Sequence, residues 1–281
     1  MKNISRIIAG IAVGSVLATG CYKEFDPSTY APAFSVAGYS STAEIAPANL
    51  VAWFPFDGDY VDQVSKNAGT NVGTTFTGGF KGQAMQGALD SYVLFNPGEA
   101  IDDMDDFTIT YWVNAPATAP PVTGDGIVGI VNLSNTKGFW GNIDMFFENG
   151  STKDAAKFRA HITNGTKDTW VSKDGLPGIF GNWANLALSY ESATSTFKFY
   201  VNGTLSATST VDGFGPINFT DSGPMVFGTV QFMTDPPLNA GGSVQPWASY
   251  LQGQLDEVRI YNKALAADEI NALVKLEGRG K

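Results

Sequence analysis

The stretch GQLDEVRIYNKALAADEINAL, residues 253–273, decides the fold. Its first half, Leu255 to Tyr261, is a short apolar run of β-branched and aromatic residues, which suits a strand. Its second half, Ala266 to Leu273, is the one convincing helix of the chain, with Asp268 and Glu269 in the first turn where the helix dipole favours acids. Working back from it, short apolar and aromatic runs alternate with Gly, Asn, Asp and Pro all the way to Leu50. They are LVAWFPF (50–56), FTITYWV (107–113), GIVGIVNL (126–133), IDMFF (143–147), KFRAHI (157–162), WANLALSY (183–190), TFKFYV (196–201) and PMVFGTV (224–230). In 107–113, Phe107, Ile109, Tyr111 and Val113 share one side and Thr108, Thr110 and Trp112 the other. The Asn202-Gly203 pair after TFKFYV supplies the two positive-φ positions of a type I′ hairpin turn. The pattern predicts an all-β sandwich of two antiparallel sheets with a short C-terminal helix.

Composition narrows the function. The chain has 281 residues, 43% hydrophobic and only 16% charged, and a net charge of −10. That is enough chain for a full core, and too apolar for disorder. The acidic balance argues against nucleic acid, which needs a basic footprint. One Cys and one His exclude a disulfide framework and the His/Cys-rich zinc sites.

The single cysteine sits where it has meaning. Lys2 and Arg6 precede an apolar run, Ile7 to Leu17, too short to span a bilayer, and Ala18-Thr19-Gly20 lead to Cys21. This resembles the lipobox of bacterial lipoproteins, with Leu17 one place further upstream than usual. The resemblance implies cleavage of a signal peptide (1–20), acylation of Cys21 and attachment to the envelope, through an outer-membrane anchor with surface display. The Pro- and Ser-containing segment 21–49 reads as a tether, and its charges Lys23, Glu24 and Asp26 resemble export tags of polysaccharide-utilisation lipoproteins. The domain is expected over 50–276, with a tail at 277–281.

Four segments in this order, LVAWFPFDGDYVD (50–62), DDFTITYWVNAP (105–116), GNWANLALSYESATSTFKFYVNGTL (181–205) and the closing motif 253–273, together resemble the laminin-G-like, concanavalin A-like jelly roll of bacterial secreted proteins. One departure is Ala266 where a Ser cap is usual. The resemblance implies a structural Ca²⁺ held by Asp57 and Asp256, with Asp59 and Asp62 near enough to join. Their alternative role is to cap turns, as Asp-Gly pairs do.

Enzymes of laminarinase type on this fold carry Glu-x-Asp-x-x-x-Glu on one strand. Here Asn142, Asp144 and Glu148 hold those places, and an amide at the first position cannot act as nucleophile. His161 alone builds no catalytic triad. The reading is therefore a non-catalytic, lectin-like binder of glycan. Its expected contacts are aromatics outside the regular motifs, Phe139, Trp140, Trp170 and Trp247, with Asn142, Asp144 and Arg159 as polar partners. Trp53, Trp112 and Trp183 are expected in the core. The insertion 228–253 is expected to shape a binding rim. The rival readings are an envelope protein-interaction module and a polysaccharide-cleaving glycosidase or lyase.

Overall fold

The computed structural model describes residues 34–116 and 126–281. Two eight-stranded sheets form the sandwich. The first runs β13 (Thr204–Thr210), β12 (Thr196–Val201), β11 (Ala184–Glu191), β6 (Phe107–Asn114), β16 (Gln254–Tyr261), β4 (Gln83–Gln86) and β3 (Thr75–Gly78), with β1 (Leu50–Phe54) also paired to β16. The second runs β10 (Asp168–Leu176), β9 (Ala156–Thr163), β8 (Ile143–Phe147), β7 (Ile127–Asn135), β14 (Ser222–Phe227), β5 (Tyr92–Phe95) and β2 (Thr70–Val72). Pairing is antiparallel throughout, apart from the two-residue β15 (Ala248–Ser249), which lies parallel to β7.

Side-chain alternation explains the layering. Phe107, Ile109, Tyr111 and Val113 of β6 point into the core between the sheets, as do Ile143, Met145 and Phe147 of β8 and Phe158, Ala160 and Ile162 of β9. Rings join the layers: Phe54 meets Phe227 at 4.9 Å, and Phe158 stacks on Phe199 at 4.2 Å. The intervening residues face outward. On β6 these are Thr108, Thr110 and Trp112, buried all the same: Lys263 and Leu265 bond Thr108, Phe80 stacks on Trp112, and Glu277 of helix α2 (Ala267–Glu277, after the one-turn α1 at Glu99–Asp102) accepts from the Trp112 indole. Ile270, Leu273 and Leu276 of α2 pack with Tyr200, Tyr261 and Ile45. The Asn202-Gly203 turn has the expected positive φ at both residues, 49° and 74°, and Asn271 of α2 reaches the Gly203 carbonyl. Ala266 offers no capping oxygen. Glu269 instead accepts from the Ala266 N–H at 2.7 Å, which supplies one half of a capping box.

Beneath α2 lies a closed charge network. Arg259 donates to Glu257 at 2.6 Å and to Glu277 at 3.0 Å. The Trp112 indole donates to Glu277 at 2.6 Å and that of Trp53 to Glu257 at 2.8 Å. The guanidinium also sits 4.3 Å over the Trp53 ring. A bulge in β16, with Glu257 at φ 48°, turns these residues toward one another. Trp112 is buried as expected, whereas Trp53 and Trp183 are half-buried.

The domain limits differ from the sequence reading at both ends. The compact unit begins at Ser35, inside the segment read as tether, and includes the tail to Lys281. Ile45 is buried against α2, and Thr42 bonds the Lys281 carbonyl. The reason is long-range: the surface that buries Ile45 is made by residues more than 200 positions later, so no local pattern announces it. Glu277, placed in the tail by sequence, is the buried end of the charge network. The signal-peptide, Cys21 and remaining tether readings lie outside the described residues.

Candidate functional site

The outer face of the second sheet carries the aromatic residues singled out by sequence. β8 and β9 expose Asp144, Phe146, Arg159 and His161 to this side, because their neighbours in sequence point to the core. The register sets one row across four strands: Asn132 opposite Asp144, Asp144 opposite His161, His161 opposite Trp170. Trp170 therefore sits on edge strand β10, not in an irregular segment. The polar residues on both sides of β10 hid its alternation from the sequence reading.

Two loops complete the face. The β7–β8 connection brings Phe139 and Trp140 over the sheet, where Trp140 lies flat on Phe146 at 5.5 Å and 5°. The insertion 228–253 brings Phe232, stacked on Phe139 at 4.7 Å, and Trp247, 5.3 Å from Phe232. Trp140 is the hub, 5.2 Å from Trp170, 6.1 Å from Trp247 and 5.5 Å from Phe139. Phe139, Trp170 and Trp247 are 44%, 42% and 39% exposed, so three large rings around Trp140 face water, Trp170 and Trp247 beside the cleft lining. A cleft of about 250 Å³ opens among Asn135, Phe139, Trp140, His161, Thr163 and Asp168.

Buried polar groups hold these loops. Gln231, fully buried, donates to the Gly138 and Phe139 carbonyls at 2.8 and 2.9 Å and accepts from the Asn135 N–H at 2.6 Å. Asn135 in turn accepts from the N–H groups of Lys137 and Gly138. Gly126 matters for Trp247: a Cβ there would lie 2.2 Å from the Trp247 carbonyl oxygen, the group that accepts from the Ile127 N–H. Gln231, Phe232 and Asn135 were not recognised from sequence. Only the length of the insertion hinted at Gln231 and Phe232, and nothing in the sequence marked Asn135.

The expected polar contacts divide. Asn142 is buried and fully engaged, accepting from Asn135 and donating to Thr220 and Ser222, so it braces the loop and does not face the cleft. Asp144 is sealed beneath Gly141, whose N–H it accepts at 2.6 Å. Arg159 is on the right face but is paired with Glu148 at 2.9 Å and Asp174 at 2.6 Å. His161, read from sequence as an ordinary strand residue, lines the cleft between Asp144 at 3.5 Å and Asp168 at 3.3 Å. Burial raises the Asp144 carboxyl above its ordinary range. Burial also opposes charge on His161, but Asp144 and Asp168 outweigh it and raise the imidazole. The buried Asn132 Oδ1, Asp144 Oδ1 and His161 Nδ1 have no hydrogen-bond partner in the protein.

Of the expected calcium ligands, Asp57 and Asp256 reach the same turn, while Asp59 and Asp62 are engaged in turns of their own. Asp57 accepts from the Gln83 N–H at 2.7 Å and Asp256 from the Lys81 N–H at 2.9 Å, so both clasp the β3–β4 turn. Asp59 accepts from the Val61 N–H, and Asp62 caps the turn at Val64 and Ser65. Burial pushes the Asp256 carboxyl up to about 7. Among the described residues no three His, Cys, Asp or Glu side chains gather to hold a metal. Two carboxylates, each engaged by a backbone N–H, are what this turn offers a cation among the described residues.

Comparison with known proteins agrees with this architecture. A family model described as the concanavalin A-like lectin/glucanases superfamily matches residues 86–271. No curated protein matches the chain. Among solved structures, the binding domain of Paraclostridial Mosquitocidal Protein 1 superposes with a TM-score of 0.59 at 16% identity, over 81% of this chain and 52% of that one. The botulinum neurotoxin serotype G binding domain gives 0.56 at 14% identity, over 82% and 51%. The CBM40 of a Ruminococcus gnavus IT-sialidase gives 0.50 at 14% identity, over 68% and 96%. These likenesses are of fold, and the chain spans about half the length of the toxin binding domains it matches.

Proposed function

The chain belongs to the concanavalin A-like lectin/glucanases superfamily, and from that premise we propose that it binds carbohydrate in the aromatic cleft and does not cleave it. The observation that carries this reading is the cluster of Trp140, Trp170, Trp247 and Phe139, whose rings meet at 5.2–6.1 Å on one open face. Indole faces suit the C–H surfaces of sugars, and a site of this size fits a short stretch of chain lying across it. Cleavage needs two carboxyls flanking the scissile bond. Of the three motif positions, Asn142 is an amide, Asp144 is sealed, and Glu148 is held by Arg159. The neighbours described as binding domains support the same reading.

Affinity electrophoresis through polysaccharide gels tests it. Trp170→Ala and Trp247→Ala replace half-exposed rings, so both variants should melt near the wild type while binding roughly 10- to 100-fold more weakly. Unchanged retardation in both overturns the site. Release of sugar by the wild type, lost in Glu148→Ala, overturns the non-catalytic reading.

We further propose that a lipid on Cys21 holds the protein at the outer membrane with this face outward. The sequence before Cys21 supports this, since acyl chains bury about 0.8 kcal/mol per methylene. Cys21→Ala should move the protein from the membrane to the soluble fraction.

A further inference from the structure

The charges around the cleft narrow the ligand class. This step rests on the glycan reading above. Among the described residues, no lysine or arginine lines the cleft, and Lys167, next to Asp168, donates to the Gly213 carbonyl at 2.9 Å without a carboxylate partner. Arg159 is bound by Glu148 and Asp174, its side chain only 17% exposed, and its guanidinium holds the Asp174 carboxyl below the usual range. His161, even when protonated, stands between Asp144 and Asp168. Lys137, beside Phe139 in the β7–β8 connection, pairs with Asp221 at 2.7 Å. Lys157 and Lys173 act on Asp174, beyond Arg159, and do not line the cleft. Lys157 is four residues along β9 from His161, roughly 13 Å by strand rise. The one charged group that both lines the cleft and faces water is a carboxylate, Asp168, its side chain 67% exposed.

We propose that the cleft selects uncharged polysaccharide and rejects chains bearing uronate or sulfate groups. An anionic substituent entering here gives up hydration, finds no lysine or arginine lining the cleft and meets Asp168. Neutral sugar hydroxyls can donate to that same carboxylate while the ring faces stack on the indoles. The selectivity is local. The net charge of −10 also repels polyanions, but that long-range effect is screened within about 8 Å at physiological salt.

The test is affinity electrophoresis of the full chain against three matched pairs: hydroxyethyl cellulose and carboxymethyl cellulose, dextran and dextran sulfate, methyl-esterified pectin and polygalacturonate. Runs at 0.15 M and 0.5 M salt separate local from long-range repulsion. The expected result is retardation by the neutral member of at least one pair, with affinity for its charged partner at least tenfold lower at both salt concentrations. Equal or stronger retardation by the charged partner overturns the selectivity and leaves the glycan site standing. Loss of discrimination at 0.5 M also overturns it, by assigning the effect to net charge. Retardation by none of the six overturns the glycan reading, and this inference with it. A gain-of-function arm frees the cation: Glu148→Gln with Asp174→Asn unpairs Arg159 and should raise affinity for the charged partner at least fivefold. An unchanged affinity overturns the claim that pairing of Arg159 is what excludes anions.

Discussion

The two outer faces of the sandwich handle burial in opposite ways. On the helix side, Arg259, Glu257, Glu277 and the indole N–H groups of Trp53 and Trp112 form a bonded network under a lid. On the cleft side, large rings stay in water, while buried polar atoms without a hydrogen-bond partner occur on both sides, at Asn132, Asp144 and His161 here and at Asn185, Glu257 and Tyr261 under the helix. The first arrangement suits holding the chain ends to the sheet. The second leaves apolar surface in water, which is what a recognition surface offers. Position in the sheet does not create the difference, since both faces are built from the outward residues of alternating strands. What separates them is the element that covers each: a helix on one side, and two ring-bearing loops on the other.

Three measurements test this contrast. The largest effect is expected from Arg259→Met. It leaves Glu257 and Glu277 buried without their cation and should cost about 3–5 kcal/mol in denaturant unfolding. The fraction that remains folded should still bind polysaccharide; a specific loss of binding there means the faces are coupled. Gln231→Ala comes next. Losing its three bonds to the Asn135–Phe139 loop should cost roughly 2–4 kcal/mol. It should also weaken binding more than tenfold where folding is complete, because Phe139 and Trp140 lose their support. Intact affinity would show that stacking on Phe146 and Phe232 positions the rings unaided.

The smallest effect is a pH slope. Burial pushes the Glu277 carboxyl up to about 7, with Arg259 acting in the opposite direction. The folded state then binds the proton more tightly than the unfolded chain. Its contribution is full below the ordinary carboxylate pKa and declines as pH rises toward about 7. Glu277→Gln should remove that decline, leaving the melting temperature flatter than wild type between pH 4.5 and 7. Asp256, also raised to about 7, contributes a residual slope of the same sign. An identical profile in the variant removes Glu277 as the titrating group.

Much of the fold was legible because it is local. The alternation of Phe107 to Val113 and the Asn202-Gly203 turn both follow from backbone periodicity and φ preference, and both are observed. Trp140, Trp170 and Trp247 were legible as candidates because indoles outside the motif strands have no evident place in the core. Their convergence was not legible. It depends on the register Trp170–His161–Asp144 and on a loop some 90 residues from Trp140 in sequence. The cover over Asn142 and Asp144 was not legible for a related reason: type and spacing mark them as polar and outward, and only the overlying loop shows that they are buried. His161 was correctly placed on a strand, but its two carboxylate neighbours come from the strands on either side.

Residue order alone determined the two-layer β architecture, its terminal helix and its supply of indoles, since strand period and turn chemistry act over a few positions. Tertiary structure decided which indoles share a face, that Asp57 and Asp256 clasp a turn, and that no lysine or arginine among the described residues lines the cleft. Those outcomes arise from contacts between distant segments, where burial and pairing, not residue type, set what a side chain is free to do.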